Sequence, residues 1–208
     1  MSNQSENISC AILAGGNNSR IGGKNKALIN IGGSSIFEKI TTEAEKIFRE
    51  LIIVTNNTES FDLYKNKFSI ITDVVKKIGP LGGIYSALNF TKSEAVLFIP
   101  CDMPFINQKT MELIINAYHN TGSDVIIPRI GKLIEPLHSL FKKETESKLL
   151  SFIQSSEDYS IRQFLKHINV FYLDLEDNDF YKKTFTNINS QNDLHKVLQF
   201  FFIPAYHE

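Results

Sequence analysis

Arg20, Lys24 and Lys26 are strung along a loop that also carries Gly15, Gly16, Gly22 and Gly23, directly after the apolar run Ser9–Leu13. Glycine frees the backbone for φ > 0 and lets another molecule approach the main chain closely. Bare N–H groups plus cations at the end of a strand are the chemistry of polyphosphate binding; the alternative is a flexible turn with solvated cations. Two well-known phosphate loops are excluded. A Walker A loop fails because Asn18 and Asn25 stand where it needs Gly and Ser or Thr. The dinucleotide fingerprint G-x-G-x-x-G fails because Asn17 replaces its second glycine.

A carboxylate follows another apolar run. Asp102 lies just beyond Val96–Ile99, inside Pro100-Cys101-Asp102-Met103-Pro104. Magnesium takes oxygen ligands and needs only one or two carboxylates when substrate phosphates supply the rest. Asp102 therefore suits a metal bound between protein and phosphate, or else a turn in which it bonds its own backbone. Asp73 ends the run Ser69–Ile71, where it could accept from ribose hydroxyls or a base edge. Asn56 and Asn57 follow Leu51–Val54, and Gly79-Pro80-Leu81-Gly82-Gly83 precedes a helical pattern of Ile84, Ala87 and Leu88. Glycines at that junction would open a helix N-terminus, with its free N–H groups, to a ligand. Further on, Glu135-Pro136-Leu137-His138 follows Asp124–Pro128; His138 is either a site residue or a partly buried, satisfied imidazole. Asn187 and Asn189 alternate on a segment read as extended, so both side chains would face one side. They could hold a phosphate or a metal-bound water, or make local turn bonds. His119, His167, His195 and His207 have no companions at metal-ligand spacing.

These residues need a scaffold, and the pattern supplies one. Short apolar runs alternate with helical periodicity, which predicts a mainly parallel sheet with helices on both faces. The strands are expected at Ser9–Leu13, Leu51–Val54, Ser69–Ile71, Ala95–Ile99 and Asp124–Ile127, with weaker ones at Val170–Leu173 and Phe185–Thr186. Ser35 and Glu38 have capping-box spacing and open a helix to about Phe48. Ser160 with Gln163 and Ser190 with Asp193 offer similar starts, Asn107 caps a helix to His119, and Gly82 or Gly83 begins one through Phe90. In such sheets ligands bind outside the carboxyl ends of the strands, where Gly15-Gly16, Asn56, Asp73 and Asp102 all fall.

The bulk properties fit one α/β domain spanning residues 1–208, with residues 1–7 and 203–208 peripheral. At 208 residues, with 42% hydrophobic and 22% charged content, the chain can bury a substantial core. A net charge of -1 gives no electrostatic case for nucleic acid or an anionic membrane. No apolar run approaches the ~20 residues that span a bilayer, the first eight residues read as no secretory signal, and Cys10 and Cys101 form neither a disulfide framework nor a zinc pair. The expected location is the cytoplasm. The terminal Phe200-Phe201-Phe202-Ile203-Pro204 is expected to pack the last helix onto the body.

Leu13-Ala14-Gly15-Gly16, then Ser19-Arg20-Ile21-Gly22-Gly23 and Lys26, resembles the signature of nucleotidyltransferases, and more narrowly of the molybdenum cofactor guanylyltransferases. Ile71-Thr72-Asp73, Gly79–Gly83, Pro100–Pro104, Glu135–His138 and Phe185-Thr186-Asn187-Ile188-Asn189 follow in family order, so the resemblance covers about residues 8 to 200. It implies a three-layer α/β/α, Rossmann-like fold of the nucleotide-diphospho-sugar transferase type. It implies transfer of GMP from GTP to the terminal phosphate of molybdopterin, with Mg²⁺ on Asp102 and pyrophosphate released. Arg20, Lys26 and Asp102 would be catalytic. Leu13, Ala14, Gly15, Gly16, Asn56, Asp73, Gly79, Pro80, Leu81, Gly82 and Gly83 would contact the nucleotide; Glu135, Pro136, His138, Asn187 and Asn189 would contact the acceptor. Cofactor-insertion proteins and molybdoenzymes are the implied partners. Ile21 stands where the family often has Met, and the segment Lys24-Asn25-Lys26 lacks the acidic residue that often precedes the motif lysine. Cytidylyl or other nucleotidyl transfer from an NTP to another phosphorylated acceptor is the nearer alternative; Gly16 argues in part against the cytidylyl case, and the Pro-Cys-Asp-Met-Pro segment favours guanylyl transfer. A non-catalytic nucleotide-binding module is the other, and should have lost Arg20, Lys26 or Asp102.

Overall fold

The computed structural model describes residues 5–15, 20–21 and 24–202, with backbone alone at Arg20, Ile21, Lys24 and Phe202. In chain order its elements are β1 (Ile8–Leu13), β2 (Arg20–Ile21), β3 (Lys24–Asn25), a 3-10 turn over Lys26–Leu28, β4 (Asn30–Ile31), β5 (Ser34–Ser35), α1 (Ile36–Ala44), β6 (Leu51–Val54) and β7 (Ser69–Ile71). There follow α2 (Pro80–Phe90), β8 (Ala95–Pro100), α3 (Gln108–Thr121), β9 (Val125–Ile130), β10 (Leu133–Ile134), β11 (Leu140–Lys142), α4 (Thr145–Ser155), α5 (Ile161–Phe164), β12 (Val170–Leu175), α6 (Asp179–Thr184) and α7 (Gln191–Phe202).

The central strands are continuous apolar runs because both of their faces are covered. Every residue of β6 and β8 is buried, as are the first five of β1. Pairing gives the order β7-β6-β1-β8-β11-β9-β12, with β10 folded back on the end of β9. Strands β7, β6, β1 and β8 are mutually parallel, as are β9 and β12; β11 runs antiparallel between β8 and β9. Helices α1, α3, α6 and α7 pack on one face around Cys10, Ile12, Leu97 and Ile99. Helices α2, α4 and α5 cover the other around Ala11, Ile52, Val96 and Phe98. The result is the expected three-layer α/β/α domain. No described helix is long and apolar enough to cross a membrane.

Local signals explain most starts. Ser35 and Glu38 form the reciprocal capping box of α1, Asn107 accepts from Thr110 N at 3.1 Å to cap α3, and Asp193 with Ser190 caps α7. Helix α1 ends at Ala44 rather than near Phe48. Helix α2 begins at Pro80, before the glycines, because Gly79 at φ +63° and ψ −148° turns the chain into it and proline fits the first helical position. One expectation is overturned. Phe185–Thr186 is not a strand: Asn178 accepts from Tyr181 N and caps α6, which buries Tyr181 and Thr184 and ends against Phe185. Residues 1–4 and 203–208 and Gly16 lie outside the described residues, as does the side chain of Arg20. Phe201 of α7 does reach the body, where its ring lies so close to Gly32 that a Cβ there would come within 2.4 Å of it.

Candidate active site

Two strand ends meet first. Leu13 of β1 pairs with Pro100 of β8, and Cys101 N donates to Leu13 O at 3.1 Å. Ala14 N reaches back to Val54 O, and Thr55 Oγ1 donates to Ala14 O. The turn after β1 is therefore fixed on both sides, at the point where the strand order reverses about β1. A Cβ at Gly15 would meet only ordinary contacts, the nearest at 3.8 Å. Packing does not demand glycine there, and its absent side chain leaves the rim open to a ligand.

Lys26 and Asp102 face each other across this rim. Asn25 caps the turn over Lys26–Leu28 through Ala27 N, which turns Lys26 inward until its side chain is 3% exposed. Its Nζ donates to Asn189 Oδ1 at 3.2 Å. Asp102 is mostly buried, and its carboxyl is raised above the usual range by that burial, opposed by the charge of Lys26. Its Oδ1 is buried with no hydrogen-bond partner among the described residues. Ile188 N donates to Asp102 O at 2.9 Å, so the segment before α7 binds both Asp102 and Lys26.

A second group lies beside β1, at the ends of β6 and β7. Asn56 Nδ2 donates to Asp73 Oδ2 at 2.7 Å while Asp73 N donates to Asn56 Oδ1 at 3.2 Å. The other carboxylate oxygen lies 3.6 Å from where a Gly83 Cβ would stand, and a Gly82 Cβ would come within 2.6 Å of Val75 O. These glycines let α2 start against Asp73. No side chain caps that N-terminus; Pro80 has no N–H and Gly82 N donates to Gly79 O at 3.1 Å, so only the remaining first-turn N–H groups are available to a ligand. Pro80 is exposed, whereas Leu81 is fully buried in the core.

The third group lies on the far side of Asp102. Burial, reinforced by the Asp102 charge, pushes the Glu135 carboxyl up to about 7. Pro136 is half-buried beside it. His138 is fully buried against the Phe185 ring, with centroids 5.7 Å apart. Neither of its ring nitrogens has a full hydrogen bond among the described residues. Burial drives this imidazole down to about 4, and the Phe98 backbone offsets only part of that. Asn187 Nδ2 bonds back to Phe185 O at 3.4 Å, whereas Asn189 Oδ1 accepts from Lys26. The lysine contact of Asn189 was not foreseeable from sequence, since 163 residues separate the partners.

A magnesium ion fits this donor set. The described residues hold no group of three or more His, Cys, Asp or Glu side chains placed for a metal. One carboxylate suffices where phosphates complete the shell, and the unpartnered Asp102 Oδ1 is such an oxygen.

A MobA-like NTP transferase domain matches residues 10–171. The chain belongs to that family. It is 32% identical to a probable molybdenum cofactor guanylyltransferase of Natranaerobius thermophilus, over 94% of this chain and 97% of the relative. The molybdenum cofactor guanylyltransferase of Vibrio campbellii is 30% identical over 92% and 95%. The fold matches that of molybdopterin-guanine dinucleotide biosynthesis protein A from Archaeoglobus fulgidus, with a TM-score of 0.76 and 23% identity over 92% and 97% of the chains. Nucleotidyl transfer, expected from the family resemblance of the glycine loop and the motifs after it, is the chemistry of this family.

Proposed function

We propose that this protein transfers GMP from GTP to the terminal phosphate of molybdopterin, releasing pyrophosphate and forming the guanine dinucleotide cofactor. The observation that carries this reading is the convergence of buried Lys26 and the unpartnered Asp102 carboxylate at the β1–β8 rim. The names of the relatives supply the base and the acceptor.

The chain's own residues divide the work. The Gly15 turn offers main-chain donors to the triphosphate, and Lys26, with Arg20 beside it in sequence, neutralises charge on the departing pyrophosphate. Asn56, Asp73 and the start of α2 receive the base and ribose. Asp102 would hold Mg²⁺, which on binding supplies positive charge to the phosphate oxygens. The acceptor phosphate is already anionic near neutral pH, so attack on the α-phosphorus breaks the bond to the β-phosphate without a strong general base. Catalysis then consists of positioning and charge stabilisation. The protein works in the cytoplasm, handing its product to cofactor-insertion proteins and molybdoenzymes.

The test is pyrophosphate release with molybdopterin, Mg²⁺ and either GTP or CTP. Turnover with GTP, at least tenfold above CTP and lost in Asp102→Asn, is the expected result. Preference for CTP would replace guanylyl by cytidylyl transfer, and binding of GTP with no turnover on any acceptor would leave a non-catalytic module.

A further inference from the structure

Ser86 of helix α2 is 1% exposed and stands in the buried run with Ile84, Ala87 and Leu88. A serine hydroxyl has one proton to give and two lone pairs with which to accept. Ser86 Oγ gives its proton to Gly82 O, one turn back, at 2.7 Å. That bond is how a helical serine commonly satisfies itself, and it needs no partner outside the helix. Ser86 has one all the same. Val74 N, in the segment between β7 and α2, donates to the same oxygen at 2.8 Å. With the hydroxyl proton committed to Gly82 O, the oxygen faces Val74 N as an acceptor.

Val74 directly follows Asp73, and the other contacts of this segment differ in kind. Asp73 N donates to Asn56 Oδ1 and Asp73 Oδ2 accepts from Asn56 Nδ2, but Asn56 is exposed and these are the groups offered to the nucleotide. A base or ribose that takes the Asp73 carboxylate or the Asn56 amide competes with the bonds between them. The Ser86 bond lies on the protein side and persists when a ligand arrives. Gly82 adds a second hold, because its missing side chain lets Val75 O lie against the first turn of α2, where a Cβ would come within 2.6 Å of it. Beyond Ile71, the last residue of β7 paired with Val54, the chain is thus gripped by α2 immediately after Asp73.

We infer that Ser86 is a positioning residue for base discrimination: through Val74 N it holds Asp73 where the carboxylate meets the N–H edge of the base. This rests on the proposed binding of a guanine nucleotide beside Asp73. Guanine presents two donors on that edge, N1–H and the 2-amino group, and hypoxanthine presents N1–H alone. A fixed acceptor rejects the base that lacks a donor, because the acceptor is then left unpaired. A carboxylate on a loosened segment turns to water instead, and the preference shrinks.

The test compares Kd values for GTP and ITP, with Mg²⁺, in the wild type, Ser86→Ala, Asp73→Ala and the double variant. Ser86→Ala removes one oxygen and no packed carbon, and alanine is the better helix former; a thermal melt checks that the fold is kept. The expected result is that Ser86→Ala weakens GTP about tenfold and ITP only about twofold. In the Asp73→Ala background the loss of the Ser86 hydroxyl should change neither value, since the residue through which it acts is already gone. Equal weakening of both nucleotides, an undiminished preference in Ser86→Ala, or a further loss in the double variant would each overturn the inference. Preference of the wild type for CTP over GTP would overturn it together with the guanylyl reading. A failure of guanylyl transfer with the binding pattern intact would overturn the proposed reaction and leave the role of Ser86 standing.

Discussion

Lys26 is worth more than a surface lysine because of where its ammonium sits. Charges interact several times more strongly in a partly desolvated site than in water, and Lys26 is 3% exposed with the Asp102 charge nearby. Lys26→Ala should therefore lower turnover far more than Lys24→Ala, and equal losses in pyrophosphate release would contradict the assignment. Asn189 positions that ammonium through its 3.2 Å contact. Asn189→Ala should lower kcat about tenfold to a hundredfold, the scale of a small misplacement, with the KM for GTP nearly unchanged. A rise in KM alone would make Asn189 a ligand contact instead. His138 makes a different prediction, about stability. Its imidazole titrates near 4 in the folded protein against about 6.5 in an unfolded chain, so the unfolded state binds the proton first. Stability must fall as pH drops from about 6.5 to 4, by roughly 3 kcal/mol from this group. Glu135, raised from 4.5 to about 7, acts in the opposite sense over most of that range. The comparison must therefore be with His138→Leu: its urea midpoint should gain on the wild type as pH falls, and parallel profiles would refute the buried neutral state.

At the scale of elements, helix α2 shows how tightly the scaffold sets the site. A Cβ on Gly82 would come 2.6 Å from Val75 O, a backbone atom that cannot step aside, whereas a Cβ on Gly83 would meet the Leu13 side chain at 3.1 Å. Gly82→Ala should cost about 1–3 kcal/mol from overpacking, against a helix-propensity gain of only about 1 kcal/mol. It should also raise the KM for GTP by displacing the Asp73 segment. Gly83→Ala should be milder in a thermal melt, and a reversed order would show that the helix start is softer than its geometry. Such junctions were legible in sequence because glycine, proline and caps have local causes: Ser35, Asn107 and Ser190 each start the helix expected of them. The buried strands β1, β6 and β8 were equally plain as uninterrupted apolar runs. What escaped was set by partners distant in sequence. The segment Leu140–Lys142 is too short to announce a strand, yet it fills the gap between β8 and β9. Phe185-Thr186 has the composition of a strand, but it follows a helix capped by Asn178 and is held by packing against His138. The convergence of Asp102 with Gly15 was readable from the strand-end rule; the bond from Lys26 to Asn189 was not, because only folding brings the segment before α7 beside Lys26.

The whole molecule carries a cost at its centre that its ligand is expected to relieve. The Asp102 carboxyl is raised in the folded state, which means that burial outweighs the attraction of Lys26. Its ionised form disfavours folding, and this group's contribution to stability is lost as pH rises above the ordinary carboxylate range. Asp102→Asn keeps the shape and removes the charge, so the ligand-free variant should melt at or above the temperature of the wild type near pH 7. A ligand that binds only the folded state stabilises by mass action, and GTP with Mg²⁺ should raise the wild-type melting temperature progressively with concentration. Chelation by EDTA should remove most of that rise. In Asp102→Asn the rise should be nearly absent with or without metal, although the fold is intact. An active centre that opposes stability until its substrate arrives predicts this reciprocal pattern. If Asp102 were merely a turn residue, the substitution would lower the ligand-free melting temperature and leave the GTP response unchanged.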